Sequence, residues 1–305
     1  MLNNGFITKN AKKAGKTVAV NAVFYFLLIC VGFVFLYPLL YMVITSLMST
    51  EDLINPTIMW VPTKVSLDNF KMVWDVLEYP KSLLVSIIFA TICAALQTVS
   101  CALMGYALAR FDVPLKKLWI GILILLFVIP TDVLTIPRYV LFNSYNLIGS
   151  PLAIIIPAAT GQGIKSTIFV LIFMNGFASV PKSFDEAAQL DGAGRLKVFY
   201  KIAIPMAIPV ITLCVIFSVV WYWNDTAQTA MLVGSDFGTL PLKLQSFDGA
   251  FKNSVNAGFG DDMNRLNECF QFAAILLTII PLVAFYLVMQ KQFVQGIESS
   301  GITGE

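Results

Sequence analysis

Apolar residues fall into six long blocks along the chain, at 20–42, 83–107, 118–140, 152–177, 210–232 and 270–289. Each meets the roughly 20 residues that a helix needs to cross about 30 Å of hydrocarbon. The strict alternation of a membrane β-barrel is absent, and backbone groups in lipid must bond within their own segment, so every block is predicted to be a helix. The expected fold is all-α and integral to the membrane: six transmembrane helices over residues 20–290, preceded by a segment at 1–19 and followed by a tail at 291–305. Lys9, Lys12, Lys13 and Lys16 precede the first block as they would in a signal peptide. That block is too long and no small-residue cleavage site follows it, which makes it the first span.

Lys and Arg near span ends stay on the cytoplasmic side. With the N-terminus inside, that side collects Arg110, Lys116, Lys117, Lys182, Arg195, Lys197, Lys201 and Lys291 besides the four N-terminal lysines. Lys64, Lys71, Lys81, Arg138, Lys243, Lys252 and Arg265 are spread over longer, acid-rich outer loops or their approaches. Both termini are therefore expected in the cytoplasm. The long outer loops, 49–81 and 233–269, the second carrying Asp261 and Asp262, are large enough to dock a soluble partner; solvated caps over the helix ends fit them equally well.

Composition agrees with the spans and removes other classes. The 305 residues are 58% hydrophobic and 12% charged, where a soluble domain is about a quarter charged. A net charge of +2 leaves no electrostatic footprint for nucleic acid. Cys30, Cys93, Cys101, Cys214 and Cys269 lack metal-ligand spacing, and all but the last lie inside apolar stretches as small hydrophobes. Without histidine, a complete P-loop or a carboxylate cluster in a soluble domain, no catalytic residues, metal site or cofactor site are expected. Gly161-Gln-Gly163-Ile-Lys165-Ser-Thr167 lacks the glycine beside the lysine and lies within a span, so it is not a phosphate loop. Its glycines, one turn after Pro157, loosen or closely pack the fourth helix.

Between the fourth and fifth spans, at 181–209, lies a segment with its own logic. Ser183 and Glu186 have capping-box spacing, and Asp185 and Glu186 suit a positive helix start, so a short helix through Leu190 is predicted with Ser183 as its cap. Gly192 and Gly194 permit a turn, and a second helix runs on until Pro205 and Pro209 interrupt it. Ala187 and Ala188 let another protein approach closely, with Glu186 free to meet a basic residue. A plain amphipathic connector on lipid headgroups is the alternative for a bare Glu-Ala-Ala triplet.

The fuller pattern of Glu186-Ala187-Ala188, Asp191-Gly192-Ala193, Phe199, Ile202, Pro205 and Pro209 resembles the EAA loop of binding-protein-dependent ABC importer permeases, in their carbohydrate-uptake branch. Ile204 stands before Pro205 where leucine is usual. Ile129-Pro130, Ile136-Pro137 and Asn146-Leu147-Ile148 are similar to the family's third helix and the loop after it. Trp223-Asn224-Asp225 is similar to its Trp-Asn-acid motif, with Thr226 where an aromatic is common. Gln292-Phe293-Val294-Gln295-Gly296-Ile297 with Gly301-Ile302-Thr303-Gly304 resembles its C-terminal extension, with Thr303 in place of a basic residue. The resemblance implies the type I permease fold with a cytoplasmic coupling helix, and no enzymatic activity in this chain. It implies a second permease subunit, an ABC ATPase dimer that holds ATP and Mg and receives the loop through Glu186, and an extracytoplasmic solute-binding protein. The location it implies is the bacterial or archaeal cytoplasmic membrane.

Ionisable side chains inside spans cost about 2.5–3.5 kcal/mol at mid-helix, so each needs a partner, a cavity or a role. Counted at 1.5 Å per residue, Asp132, Lys165 and Asp225 all lie about 20 Å from the cytoplasmic ends of their helices. One reading makes this layer, with Tyr222, Trp223, Asn224 and Gln228, the lining of a sugar path. The other makes it an internal ion pair of Lys165 with an aspartate that fixes helix packing. Lys165 also suits an anionic sugar such as a uronate oligosaccharide, and a glycerol phosphoester stays open. An ion-coupled secondary transporter using Asp132, Lys165 and Asp225 is the rival class.

Overall fold

A computed structural model describes residues 4–254 and 267–299, with side chains described from residue 20 onward except at 131, 132 and beyond 296. The side chains of Lys9, Lys12, Lys13, Lys16 and Asp132, the loop residues Asp261, Asp262 and Arg265, the side chain of Ile297 and the tail residues Gly301 to Gly304 lie outside the described residues. Among those described there is no strand. In chain order the helices are α1 (Asn4–Ser46), α2 (Thr50–Ile54), α3 (Asp68–Val76), α4 (Tyr79–Arg110), α5 (Lys116–Val128), α6 (Thr135–Ser144), α7 (Leu152–Ala159), α8 (Ser166–Ser179), α9 (Lys182–Leu190) and α10 (Arg195–Val198). They continue as α11 (Ile204–Met206), α12 (Ile208–Asn224), α13 (Ala227–Leu232), α14 (Leu240–Gln245), α15 (Phe247–Ser254) and α16 (Glu268–Ser299).

Val20–Ser46, Tyr79–Arg110 and Glu268–Gly296 are each long and apolar enough to cross a membrane as one helix. The other three expected spans are broken, each for a local reason. In 118–140, Ile129 precedes Pro130 and is extended (φ −67°, ψ 123°), because a proline pushes the residue before it out of the helical region. A short 3-10 turn, Thr131–Leu134, then leads into α6. In 152–177, α7 ends at Ala159, and Gly161 (φ +72°) and Lys165 (φ +51°) turn left-handed before α8 begins. In 210–232, Asp225 is extended (φ −75°, ψ 99°); its carboxylate accepts the Gln228 N–H (3.4 Å) and the Thr229 hydroxyl (3.0 Å), drawing the chain out of α12 and starting α13. Short acidic side chains compete with helix bonds in this way.

The chain divides into two compact units. In the first, Met1–Val73 with Val255–Leu276, Asn69 donates to the carbonyls of Ser46 (2.9 Å) and Met48 (2.8 Å) and so caps the end of α1. The Asp52 carboxylate holds the Thr63 hydroxyl and N–H at 2.6 and 2.9 Å, giving the expected outer loop internal order.

The second unit, Trp74–Ser254 with Leu277–Glu305, is organised around α4. Cys101, Ala102 and Tyr106 of α4 pack with Phe169, Phe173 and Phe177 of α8, with Phe199 of the 181–209 segment and with Val210 and Cys214 of α12. A second cluster joins Phe89, Cys93 and Ala94 of α4 to Ala153 and Ala158 of α7 and to Tyr222. Gly105 marks a close approach of α4 to α8: a Cβ there would lie 2.9 Å from the Met174 backbone nitrogen. Small residues at such crossings let backbones meet where lipid offers no hydrophobic drive for association.

Candidate functional site

The break between α7 and α8 places irregular backbone inside the unit, and its polar groups are satisfied by side chains. Gln97 of α4 donates to the Ile164 carbonyl (2.8 Å). Tyr222 of α12 donates its hydroxyl to Gln97 Oε1 and accepts the Ile164 N–H at 3.3 Å. Ser100 donates to the Ala158 carbonyl (2.8 Å), fixing the end of α7 to the same face of α4. Both Gln97 and Tyr222 are buried. Gly163 sits against this pair, and a Cβ on it would run into the Tyr222 hydroxyl and Gln97 Oε1. Non-helical backbone at membrane depth is tolerated where it is buried in protein or lines a cavity.

The brace holds the residue just before Lys165. Lys165 takes its left-handed conformation immediately after Ile164, a state uncommon for a residue with a side chain and concentrated at functional sites. The Tyr222→Phe substitution removes a partner from both Gln97 Oε1 and the Ile164 N–H, each worth about 1–3 kcal/mol when left buried and unbonded. The expected result is a several-degree drop in the thermal midpoint of the purified protein; an unchanged midpoint would show that the brace carries no such weight.

Lys165, Arg138, Trp221, Asn224, Asp225 and Gln228 line one cleft of about 280 Å³, at the lower end of small-molecule pockets. The Lys165 ammonium lies 4.8 Å from the centroid of the Trp221 ring. Arg138, on α6, donates to Gln228 Oε1 at 3.0 Å. Asn224 donates to the Val220 carbonyl (2.8 Å). Among the described residues Lys165 forms no ion pair. Four of the residues expected in the polar layer, Lys165, Asn224, Asp225 and Gln228, therefore share this cleft. Tyr222 and Trp223 are buried at 3% and 7% exposure, and the aromatic face turned to the cleft is that of Trp221. The backbone of Asp132 lies in the 3-10 turn before α6. Sequence reasoning places Arg138 only among the outer-side charges; its position within the third apolar block is the signal that could have found it.

The 181–209 segment forms a helix, turn and helix. The first helix starts two residues earlier than the capping box predicts: Pro181 (φ −60°, ψ 132°) occupies the cap position and no side-chain cap bond is made. Ser183 thus falls inside the first turn, because the extended proline already sets the helix start. Gly192 uses its left-handed freedom (φ +78°), and the Ala193 N–H reaches back to the Ala188 carbonyl at 2.8 Å to close the turn. Beyond α10 the chain makes one π-helical turn, Phe199–Ala203, then α11, which contains Pro205. A 76° bend separates this stretch from α12. Glu186, Ala187, Asp191 and Gly192 are exposed, Ala188 and Ala193 are half-buried, and Phe199 is buried against Tyr106 and Phe177.

The sequence and fold can be placed among known proteins. A family model for binding-protein-dependent transport system inner membrane components matches residues 101–299. The chain is 28% identical over 290 residues to the polygalacturonan/rhamnogalacturonan transport system permease protein YtcP of Bacillus subtilis (strain 168), covering 92% of this chain and 94% of the relative. It is 30% identical over 280 residues to the melibiose/raffinose/stachyose import permease protein MelC of the same organism, covering 90% and 93%. Its fold is similar to that of a chain in the crystal structure of a bacterial ABC transporter involved in the import of the acidic polysaccharide alginate, with a TM-score of 0.72 and 21% identity over 92% of this chain and 98% of that one. The chain belongs to the family of binding-protein-dependent transport system inner membrane components.

Proposed function

We propose that this chain is the membrane-spanning permease subunit of an ATP-driven importer that carries an acidic, uronate-containing oligosaccharide from a solute-binding protein into the cytoplasm. The observation that carries the substrate class is the cleft. It presents two cations, Lys165 and Arg138, beside the amides of Asn224 and Gln228 and the ring of Trp221. Its one described carboxylate, Asp225, is engaged at the start of α13. Guanidinium and ammonium groups suit a sugar carboxylate, amides suit hydroxyls, and an indole face suits the apolar face of a pyranose. A phosphoester would use the same cations but offer no pyranose face to the indole, which also carries the Lys165 ammonium. The names of the polygalacturonan-transporting relative and of the alginate importer point the same way.

In this reading the chain pairs with a second permease and lies in the cytoplasmic membrane with both termini inside. Its 181–209 segment docks on an ATPase dimer that binds ATP and Mg, and its outer loops meet the binding protein. ATP-driven closure of the ATPases would pull on the docked segment and reorient the spans. The test is reconstitution of the complete complex in proteoliposomes with a galacturonic-acid oligosaccharide as probe. Uptake is expected only with ATP and the binding protein present, and the same oligosaccharide with its carboxylates reduced to alcohols should be taken up far less. Equal uptake of a neutral oligosaccharide would overturn the acidic assignment. Uptake by the isolated chain on an ion gradient, without ATPase, would overturn the importer reading itself.

A further inference from the structure

The chain makes a sharp elbow where α8 gives way to α9: the two helices meet at 67° across Val180 and Pro181. An elbow of this kind leaves helix-end carbonyls without intrahelical partners. Arg110, the last residue of α4, spans it. Its Nη2 donates to the Val180 carbonyl at 2.7 Å, on the elbow itself. Its Nη1 lies 3.5 Å from Oδ2 of Asp185, in the first turn of α9. The two side chains are only 4% and 14% exposed.

The second arm of the same segment is tied to the same end of α4. The Arg195 guanidinium stands over the Phe111 ring at 5.4 Å, and Phe199 packs on Tyr106 with ring centroids 4.7 Å apart. Both arms of the helix–turn–helix are thereby referred to one rigid helix as well as to each other. A planar guanidinium is suited to this, because it can hold a carbonyl and a carboxylate in fixed directions at once.

We infer that Arg110 is a positioning residue for energy coupling: through Val180 and Asp185 it locks the elbow, so that force applied to α9 is delivered to α4 and the core helices instead of being lost by flexing at residues 180 and 181. This rests on the importer reading and names the part of the chain that transmits the stroke. Mechanical coupling needs an element with two discrete placements joined stiffly to the transport path. Without the lock, the ATPase can bind and hydrolyse while the spans fail to follow.

The variant of choice is the double replacement Arg110→Met with Asp185→Leu, because exchanging a buried ion pair for apolar residues of similar size tends to preserve stability, whereas removing one partner strands a buried charge. The complete complex, reconstituted in proteoliposomes, is assayed for both ATP hydrolysis and galacturonic-acid oligosaccharide uptake. The expected result is unchanged complex yield and hydrolysis, with about a tenfold fall in oligosaccharide imported per ATP hydrolysed. Asp185→Asn alone, which keeps the Val180 bond, is expected to lower the same ratio less. An unaltered ratio in the double variant overturns the inference. So does a parallel fall of yield, hydrolysis and uptake, which is what a merely structural role produces. Failure of the underlying importer reading shows in a different sample: a wild-type complex that hydrolyses ATP and imports nothing.

Discussion

Replacing Lys165 with methionine is expected to collapse uptake of an acidic oligosaccharide while leaving the complex assembled and its ATPase active. The side chain is exposed to the cleft, with no ion pair among the described residues to hold it for packing. A charge-assisted hydrogen bond to a substrate carboxylate contributes about 1.5–3 kcal/mol, and each 1.4 kcal/mol is a factor of about ten. The single variant should thus raise the apparent KM roughly 10- to 100-fold, and Arg138→Leu on top of it should bring uptake of the acidic probe to background. Methionine keeps an unbranched stem of similar length and removes only the ammonium that stands over Trp221, so the loss would report on charge. Scintillation counting of labelled oligosaccharide in proteoliposomes reads the effect, and gel filtration of the purified complex checks assembly. Loss of assembled complex with Lys165→Met would mean that the lysine serves helix packing.

Much of this cleft is legible in the sequence, for a physical reason. Lys165, Asn224, Asp225 and Gln228 sit inside apolar blocks where polar groups are costly, and counting at a fixed rise per residue puts Lys165 and Asp225 at a common depth. The same cost argument applies to Arg138, but its nearness to the end of a span suggests the membrane surface instead. What no local pattern carries is pairing at long separation. Gln97 and Tyr222 meet across 125 positions, and Arg110 finds Val180 across 70. Neither partner has a periodicity or spacing that announces the other. Trp221, Tyr222 and Trp223 are three adjacent aromatics, and only the rotation of α12 against α4 decides that Tyr222 goes inward to Gln97 while Trp221 turns to the cleft. The helix breaks are half-written. Proline at 130 and glycine at 161 and 163 mark them, whereas the capping box at Ser183 yields to the proline two residues earlier, whose fixed φ starts the helix first.

Charge reversal at Glu186, on the face of α9 opposite Asp185, is expected to have the other large effect. Within α9, Asp185 and Ala188 turn inward, while Glu186 and Leu190, four residues apart and so on one stripe, face outward. Leu190 is 90% exposed and Phe184 49% exposed. Apolar side chains presented beside a free carboxylate on a stiff support suit a partner with a greasy pocket and a basic residue. Glu186→Lys changes a solvent-facing position, so the isolated subunit should keep its stability to within about 0.5 kcal/mol. Like charges brought together in an interface cost several kcal/mol, so the ATPase should no longer co-purify, and ATP-driven uptake should vanish with it. Glu186→Gln, which removes attraction without adding repulsion, should be milder, and reversing the charge of the basic residue it meets on the ATPase should restore co-purification to Glu186→Lys. A Glu186→Lys subunit that retains its ATPase and imports at the wild-type rate would mean that this stripe is not the docking surface, and the elbow gripped by Arg110 would then have no stroke to transmit.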